Sequence, residues 1–559
     1  MKEQKTTGRQ FIAETLRGYG VSHVFYVEAM LRMTAIEMRR LGIERIITHS
    51  EKAAAYMADG YARVSGRPGV CMAQSVGAAN LAAGLQDAYL AGSPVVALTG
   101  KKPPDWQYRN AYQEIDHEPL FRAVTKFHGE VATAEQLPIL LRHAFRTAVT
   151  GSPGPVHLDL PNHTGRTIEQ GVVSTVPSID ARYTTVPPYR PAAESDLVAA
   201  VAAKLAGSER PVIVAGGGAR VSDAGEAIIA LARSGDIPIV TSADGKGVID
   251  ETDPLWAGIV GGYSMACANR TVHRADLVLF IGSGTGDQVT FDWRLPEPGT
   301  SVIQIDIDPV ELGRNYPGTL GLAGDARVVT GQLAAAADSR RRPEWLREAA
   351  GYVQEWFTEH APLLNSTAPT TRPERLCAEI ERILPKNGVV VADTGYSAIW
   401  ASTMIRIRSG QTFLRAAGSL GWAYPASLGA ACGAPDRPVI CFTGDGAFYY
   451  HLAEMETAAR YGIRTVTVVN NNQAFSQGVD EVKRVFAEVG TDDDPNPMFR
   501  FTPVNIARVA KEFGMEAFRV ENASELPAAL EGAMASDRPA VVEVCTDIGS
   551  RASPAWLPS

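Results

Sequence analysis

The chain has 559 residues, enough for three or four domains that each bury a core, and 45% of them are hydrophobic against 21% charged, as in ordinary globular proteins. A formal net charge of −9 argues against a general polyanion-binding surface, and no apolar run reaches the roughly 18 residues that span a bilayer. No nucleic-acid or membrane role is expected.

The opening stretch, "MKEQKTTGRQFIAETLRGYG" (1–20), reads as an amphipathic helix after a polar start and lacks the apolar core and cleavage site of a signal peptide. Cys71, Cys267, Cys377, Cys432, Cys441 and Cys545 form no CxxC pair and several sit in apolar strand-like runs. They read as reduced core residues of a cytoplasmic protein. In "HSEKAAAYMADGYAR" (49–63), Ser50 is a suitable N-cap and Glu51 follows it at the head of a helix crowded with small residues. Alone, Glu51 needs no role beyond favouring the helix dipole.

Further along, "GAANLAAGLQDAYLAGSPVVALTG" (77–100) leads a small-residue helix through a proline into a strand ending Thr-Gly, and "AYPASLGAACGAPDRPVICFTG" (423–444) repeats that order. The echo points to two related α/β domains flanking a different one. Pro-rich polar stretches at 174–195 and 364–375 mark linkers, and between them apolar strands such as "PVIVAGGG" and "ADLVLFIGSG" alternate with helices. The expected architecture is α/β, with three doubly wound parallel-sheet domains at 1–183, 190–345 and 370–559.

The strongest chemical pattern is "VICFTGDGAFYYHLAEMETAARYGIRTVTVVNNNQAFSQG" (439–478): strand, Gly-rich turn, helix, strand and polar loop. Right-handed crossover brings Asp445 and Asn472 to the same sheet edge as hard oxygen donors, whether or not their strands are neighbours. Such a pair suits Mg²⁺ completed by phosphate oxygens, with the N–H groups of Gly446 and Ala447 facing the anion. Gly216-Gly217-Gly218 is a weaker glycine run without a full dinucleotide fingerprint.

In this motif and in "GSPGPVHLDLPNH" (151–163) and "IQIDIDPVELGRNYP" (303–317), the chain resembles the thiamine-diphosphate-dependent enzymes of the acetolactate synthase and 2-oxo-acid decarboxylase group. The resemblance covers essentially the whole chain. It implies a pyrimidine-binding, a central and a diphosphate-binding domain, with the cofactor held between the first domain of one subunit and the third of another. A homodimer or homotetramer follows. Asp445, Asn472 and the backbone carbonyl of Ala474 become the implied Mg²⁺ ligands. Gly444, Gly446, Ala447 and Phe475, with Thr394, Gly395 and Tyr396 of "DTGYSAIWAS" and Gly418 of "GSLGWAYPASLGA", become implied cofactor contacts.

By the same resemblance Leu420 is the wedge that bends the cofactor, and Gln113 of "NAYQEIDHEPLF" reaches the active site. Glu51, ten residues ahead of Tyr61 in Gly60-Tyr61-Ala62-Arg63, hydrogen-bonds the pyrimidine ring nitrogen and promotes the imino tautomer. Ser50 stands where relatives often have His. Other departures concern substrate: "HVFYVEAMLRM" puts Glu28, Ala29 and Met30 in place of a Pro-Gly-Gly-like turn, and Ser397 and Ala398 replace a His-Gln pair. Met30 is a candidate to line an apolar pocket, while Glu28 either faces the site or pairs with an Arg. His23, His49, His117 and His451 lie near relevant loops, yet none forms a convincing acid–base pair. That absence favours a carboligase or lyase. "GSGTGDQVTFDW" (282–293) departs from the flavin-binding segment, so the central pocket for FAD or ADP is expected to be altered or empty.

The expected reaction is decarboxylation of a 2-oxo acid such as pyruvate with transfer to an acceptor carbonyl. Simple decarboxylation and diketone hydrolysis are the alternatives within the group. A nicotinamide oxidoreductase or an inactive paralogue are the alternatives outside it.

Overall fold

The computed structural model describes residues 5–337, 340–491 and 493–558. The first four residues of the expected N-terminal helix lie outside them; the helix itself spans Gly8–Gly18, capped by Thr7 and Gln10.

Three sheets of six parallel strands carry the chain; their inner strands are short apolar runs that are buried, while edge strands such as Glu44–Ile47 and Phe127–Glu130 are partly exposed. In spatial order the first sheet is Glu44–Ile47, His23–Tyr26, Gly69–Ala73, Val95–Lys101, Val156–Pro161 and Phe127–Glu130. The third is Thr412–Arg415, Val389–Ala392, Val439–Gly444, Val466–Asn471, Ala540–Cys545 and Glu516–Val520. Counted along the chain within each domain, both run 2-1-3-4-6-5. The central sheet, from Trp256–Ile259 through Pro211–Ala215 to Leu320–Ala323, runs 3-2-1-4-5-6, the Rossmann order.

The shared order makes the first and third domains structural repeats, but the sequence echo pairs them one unit out of step. Helix Gly77–Leu90 leads into the fourth strand of its sheet, whereas helix Ala423–Gly433 leads into the third. The counterpart of 423–444 is therefore the Glu51–Ser65 helix with strand Gly69–Ala73. Any small-residue helix packed on a parallel sheet reproduces the pattern the echo rests on.

Those two equivalent helices pack directly on each other within the chain. A Cβ on Gly60 would lie 2.0 Å from the Ala426 carbonyl oxygen, and one on Gly429 would lie 1.8 Å from that of Met57. Backbone thus meets backbone. Beside the contact, buried Arg63 bonds Asp59 and Asp87 at 2.6 and 2.8 Å and the carbonyl of Arg415 at 2.8 Å. Asp87 in turn accepts from the backbone of Ala417 and Ser419, and Trp422 Nε1 donates to Asp59. The first and third domains therefore share one polar core.

Two local expectations are corrected. The second linker is shorter than 364–375: helix Pro343–Leu364 runs to its start, and Pro373, suited to the first helical position, already opens helix Pro373–Ile383. Met30 is fully buried in the core of the first domain, so it lines no pocket, and Glu28 pairs with Arg32 at 2.6 Å on the surface. Ala29 nonetheless keeps φ at +135°, a backbone conformation that favours glycine. All six cysteines are free, with Cys432 and Cys545 only half-buried. Among the described residues no helix is long and apolar enough to cross a membrane.

Replacing Gly60 by Ala should lower stability by about 1–3 kcal/mol, because overpacking against a backbone carbonyl outweighs the helix-propensity gain of ~1 kcal/mol. The same change at Gly351, which sits in helix Pro343–Leu364 with nothing near its Cβ position, should be neutral or stabilising. Thermal denaturation of the two variants checks the contrast.

Candidate active site

Strands Val439–Gly444 and Val466–Asn471 are direct neighbours, with Gly444 in register with Asn470. Asp445 leaves the first strand one residue after that pair and Asn472 leaves the second two residues after it, so both stand at the carboxyl edge of the sheet. Strand Val389–Ala392 lies on the other side of Val439–Gly444. The chain reverses its direction of winding there, which is where open α/β sheets form their ligand crevice.

A cleft of about 430 Å³ opens at this point. Of the expected contacts, Thr394, Gly395, Tyr396, Leu420, Gly444, Asp445, Gly446, Ala447, Asn472, Ala474 and Phe475 line it, joined by Trp400 and Ser397. Gly418 does not; it is exposed, and a Cβ there would meet nothing. The loop after Asn472 turns through Gln473 at φ +60° and pairs by backbone with Phe499 and Phe501. That pairing sets Ala474 in the cleft wall.

Asp445 Oδ2 and Asn472 Oδ1 are buried without a hydrogen-bond partner. Buried polar atoms are rarely left so, and two acceptors orphaned at one cleft are a donor set awaiting a cation. Burial pushes the Asp445 carboxyl up to about 7, although the nearby backbone N–H groups of Gly446, Gln473 and Ala474 favour its ionised form. These features fit Mg²⁺ and a phosphorylated cofactor.

Leu420 reaches the cleft through an interaction the sequence did not reveal. Buried Asp393, one residue before Thr394, accepts from the backbone of Gly421 at 3.0 Å and of Ala423 at 2.9 Å, as well as from Thr394. It ties the loop carrying Leu420 to the end of strand Val389–Ala392. Burial holds its carboxyl up at about 6 despite those donors. The "DTG" triplet marked this place, but only the fold shows what its aspartate grips.

Glu51 begins helix Glu51–Ser65 behind the Ser50 cap, whose hydroxyl accepts from Lys52 at 3.2 Å. Its carboxylate turns to the head of the next helix: a Cβ on Gly77 would lie 2.4 Å from Glu51 Oε1, and Asn80 Nδ2 donates to Oε2 at 3.2 Å. Glu51 is absent from the lining of its own chain's cleft, and so is Gln113. Gln113 sits in a loop at φ +64°, its carbonyl held by the Ser75 hydroxyl at 2.5 Å. Gly77 comes two residues after Ser75, so the surroundings of Gln113 and Glu51 share one turn.

The central domain holds a second cleft of about 460 Å³ beside Gly217, Gly218 and the Gly282–Gly286 loop. Asp244, Asp306, Asp308, Glu311 and Asp325 line it, and the arginine that reaches it, Arg415, is already bonded to both oxygens of Asp244. That acidic lining does not suit the diphosphate of a flavin or adenine dinucleotide.

The pH dependence of the orphaned pair is predictable. Because the Asp445 carboxyl in the fold is raised above its ordinary value, its protonated form stabilises the cofactor-free protein at low pH, and this contribution is lost as pH rises through about 7. A bound cation replaces the proton. Thiamine diphosphate with Mg²⁺ should therefore raise the melting temperature more at pH 8 than at pH 6, and Asp445→Asn should abolish the Mg²⁺-dependent part, as read by scanning fluorimetry.

Comparison with known proteins agrees with this geometry. Residues 6–120, 198–333 and 393–544 match, in that order, the N-terminal TPP binding domain, the central domain and the C-terminal TPP binding domain of thiamine pyrophosphate enzymes. The chain is 32% identical to a probable acetolactate synthase large subunit of Methanocaldococcus jannaschii, over 97% of this chain and 92% of that protein. It is 30% identical to the acetolactate synthase large subunit of Corynebacterium glutamicum, over 97% and 87%. With the large subunit of acetolactate synthase isozyme 1 of Escherichia coli it shares 27%, over 99% and 96%. With three matched domains in order and a cleft at the edge of the third sheet, the chain belongs to the thiamine pyrophosphate enzyme family.

Proposed function

We propose that this enzyme holds thiamine diphosphate in the cleft at the end of strand Val439–Gly444, through Mg²⁺ bound by Asp445, Asn472 and the Ala474 carbonyl. Its reaction is that of an acetolactate synthase-like carboligase: a 2-oxo acid such as pyruvate loses CO₂ and the remaining acyl unit passes to an acceptor carbonyl. The observation that carries this reading is the pair of buried, unpartnered oxygens on Asp445 and Asn472. The names of the relatives support the substrate class. An inactive paralogue is disfavoured because Glu51 and both side-chain ligands are present, and an oxidoreductase leaves the orphaned pair unexplained.

When bound, the cofactor supplies a nucleophilic carbon and an electron sink for breaking a bond next to a carbonyl. The chain's own groups do the rest. Glu51 would hold a proton at the pyrimidine ring of the bound cofactor, its carboxylate aimed by Asn80 and by the close approach of Gly77. The family resemblance implies that Glu51 serves the cleft of a second copy, with a homodimer the smallest active unit, and its absence from its own chain's cleft supports that reading. Leu420, on the loop held by Asp393, would support the cofactor from below. Tyr396 and Trp400, tilted against each other at 5.2 Å, would help to exclude water from the cleft.

A panel of 2-oxo acids, with and without aldehyde or 2-oxo-acid acceptors, tests the reading by CO₂ release and product mass. A ligated product accompanying CO₂ is expected; aldehyde alone would make it a decarboxylase, and neither product with any donor would overturn the proposal. Glu51→Gln should lower turnover by about 10²-fold or more while the cofactor still binds and the melting temperature holds. Near-normal turnover would remove Glu51 from its role.

A further inference from the structure

Beneath the turn shared by Glu51 and Gln113 lies a buried histidine cluster that the proposed reaction does not use. His117, His157, Asp159 and Thr99 are all fully buried. His117 Nδ1 lies 2.7 Å from Asp159 Oδ1 and its Nε2 lies 3.0 Å from the carbonyl oxygen of Ser75. Thr99 Oγ1 lies 2.5 Å from the same Asp159 oxygen and 2.6 Å from His157 Nε2. His157 Nδ1 faces His128 Nδ1 at 2.8 Å, and Phe121 stacks flat on the His157 ring.

Three of these groups are metal-ligand types with ligand atoms within 4.8 Å of one another. The Thr99 hydroxyl, bonded to two of them, stands where an ion would sit, so the cluster reads as a hydrogen-bond network. Its protons can be placed by elimination. A backbone carbonyl only accepts, so His117 Nε2 carries a proton. Thr99 has one proton to give and His157 cannot give one to His128 from the same nitrogen, so the directed chain runs His128 Nδ1–H to His157 Nδ1, then His157 Nε2–H to Thr99, then Thr99 O–H to Asp159.

Burial works against the Asp159 carboxylate, yet the imidazoles of His157 and His117 and the Thr99 hydroxyl hold it well below the usual range, at about 2. Burial pushes His157 down to about 3, which leaves that ring neutral. Asp159 Oδ2 has no partner at all. A carboxylate buried in this way requires donors about it. Lys101 is committed to Glu130 at 2.9 Å. The donors are the Thr99 hydroxyl and His117, whose two ring nitrogens both face acceptors.

We propose that His117 is a positioning residue for the active site: its ring is clamped between Asp159 and the Ser75 carbonyl, and so fixes the turn that carries Gly77 against Glu51 and holds the backbone of Gln113. The chain of contacts is continuous. His117 grips the Ser75 carbonyl, the Ser75 hydroxyl grips the Gln113 carbonyl, and two residues on, Gly77 abuts Glu51, with Asn80 bonded to its other oxygen. His117 touches no reacting atom and acts through Ser75. Its catalytic consequence rests on the reading of Glu51 and Gln113 given above; its hold on the turn does not.

The test uses full-length enzyme labelled with ¹⁵N in its ten histidines. One ring should show a slowly exchanging Nε2–H hydrogen-bonded to a carbonyl, and this signal should vanish in His117→Gln and exchange faster in Asp159→Asn. A His117 Nε2–H that exchanges as fast as that of an exposed ring in the wild type overturns the proposal, and that spectrum requires no variant to fold. Hydrogen exchange should speed up across residues 74–80 and 110–114 in both variants; unchanged exchange there would also overturn it. With cofactor affinity retained, kcat should fall about tenfold to a hundredfold, the scale expected of a misplaced catalytic group. If wild-type enzyme fails to bind thiamine diphosphate, the functional reading fails while spectrum and exchange still judge the clamp.

Discussion

The structure depends on the contact between two helices, Glu51–Ser65 of the first domain and Ala423–Gly433 of the third. Gly60 and Gly429 allow each backbone to reach the other's carbonyls, and the helices meet where side chains would hold them apart. Such proximity leaves no room for water, so the charges beside it must answer one another. Arg63 does this for Asp59 and Asp87 at once, and burial alone would raise Asp59. Breaking one member of a buried set of this kind costs on the order of 3–5 kcal/mol, since the others are left uncompensated. The interaction fixes the first domain to the third before any ligand binds.

That constraint has a consequence for chemistry. The polar core ends in the Ala417–Ser419 backbone, next to Leu420, while the helix it anchors begins with Glu51. Both candidate catalytic groups are therefore positioned by the same joint, although Glu51 is not among the residues lining the cleft that holds Leu420. The equivalent helices of the two repeats face each other at that joint. On the proposed function, Glu51 is thereby held ready for the cleft of a second copy.

Much of this was legible in the sequence, for a physical reason. Asp445 and Asn472 follow strands that are strongly apolar and joined by a short helical crossover, so right-handed crossover sufficed to place them on one edge. The number of domains and their parallel sheets followed from the alternation of apolar runs. The register of the internal repeat did not, because small-residue helices on parallel sheets look alike whichever unit they belong to. Nor did the linker end at Pro373, where a proline serves turn and helix start equally. Asp393 and Asp87 escaped notice because they hold backbone groups, those of Asp87 lying 330 residues and more away. Arg63 escaped because an arginine four residues after an aspartate on a helix reads as an ordinary surface pair. His117 was read as one more isolated histidine. Its partners, Asp159 and the Ser75 carbonyl, each lie 42 residues away, one after it and one before it, and no local pattern announces a contact assembled by sheet order.

The central claim is that the cleft built on Asp445 and Asn472 is completed by Glu51 of another copy. Mixing two inactive variants tests it most directly: Glu51→Gln and Asp445→Asn chains, co-expressed and purified as one population, are assayed against each variant alone. If the site is shared between copies, the mixed dimer contains one site with neither defect, and activity returns. If each chain completed its own site, every site in the mixture would carry a defect, and continued inactivity of a mixed dimer shown to have formed would contradict the account.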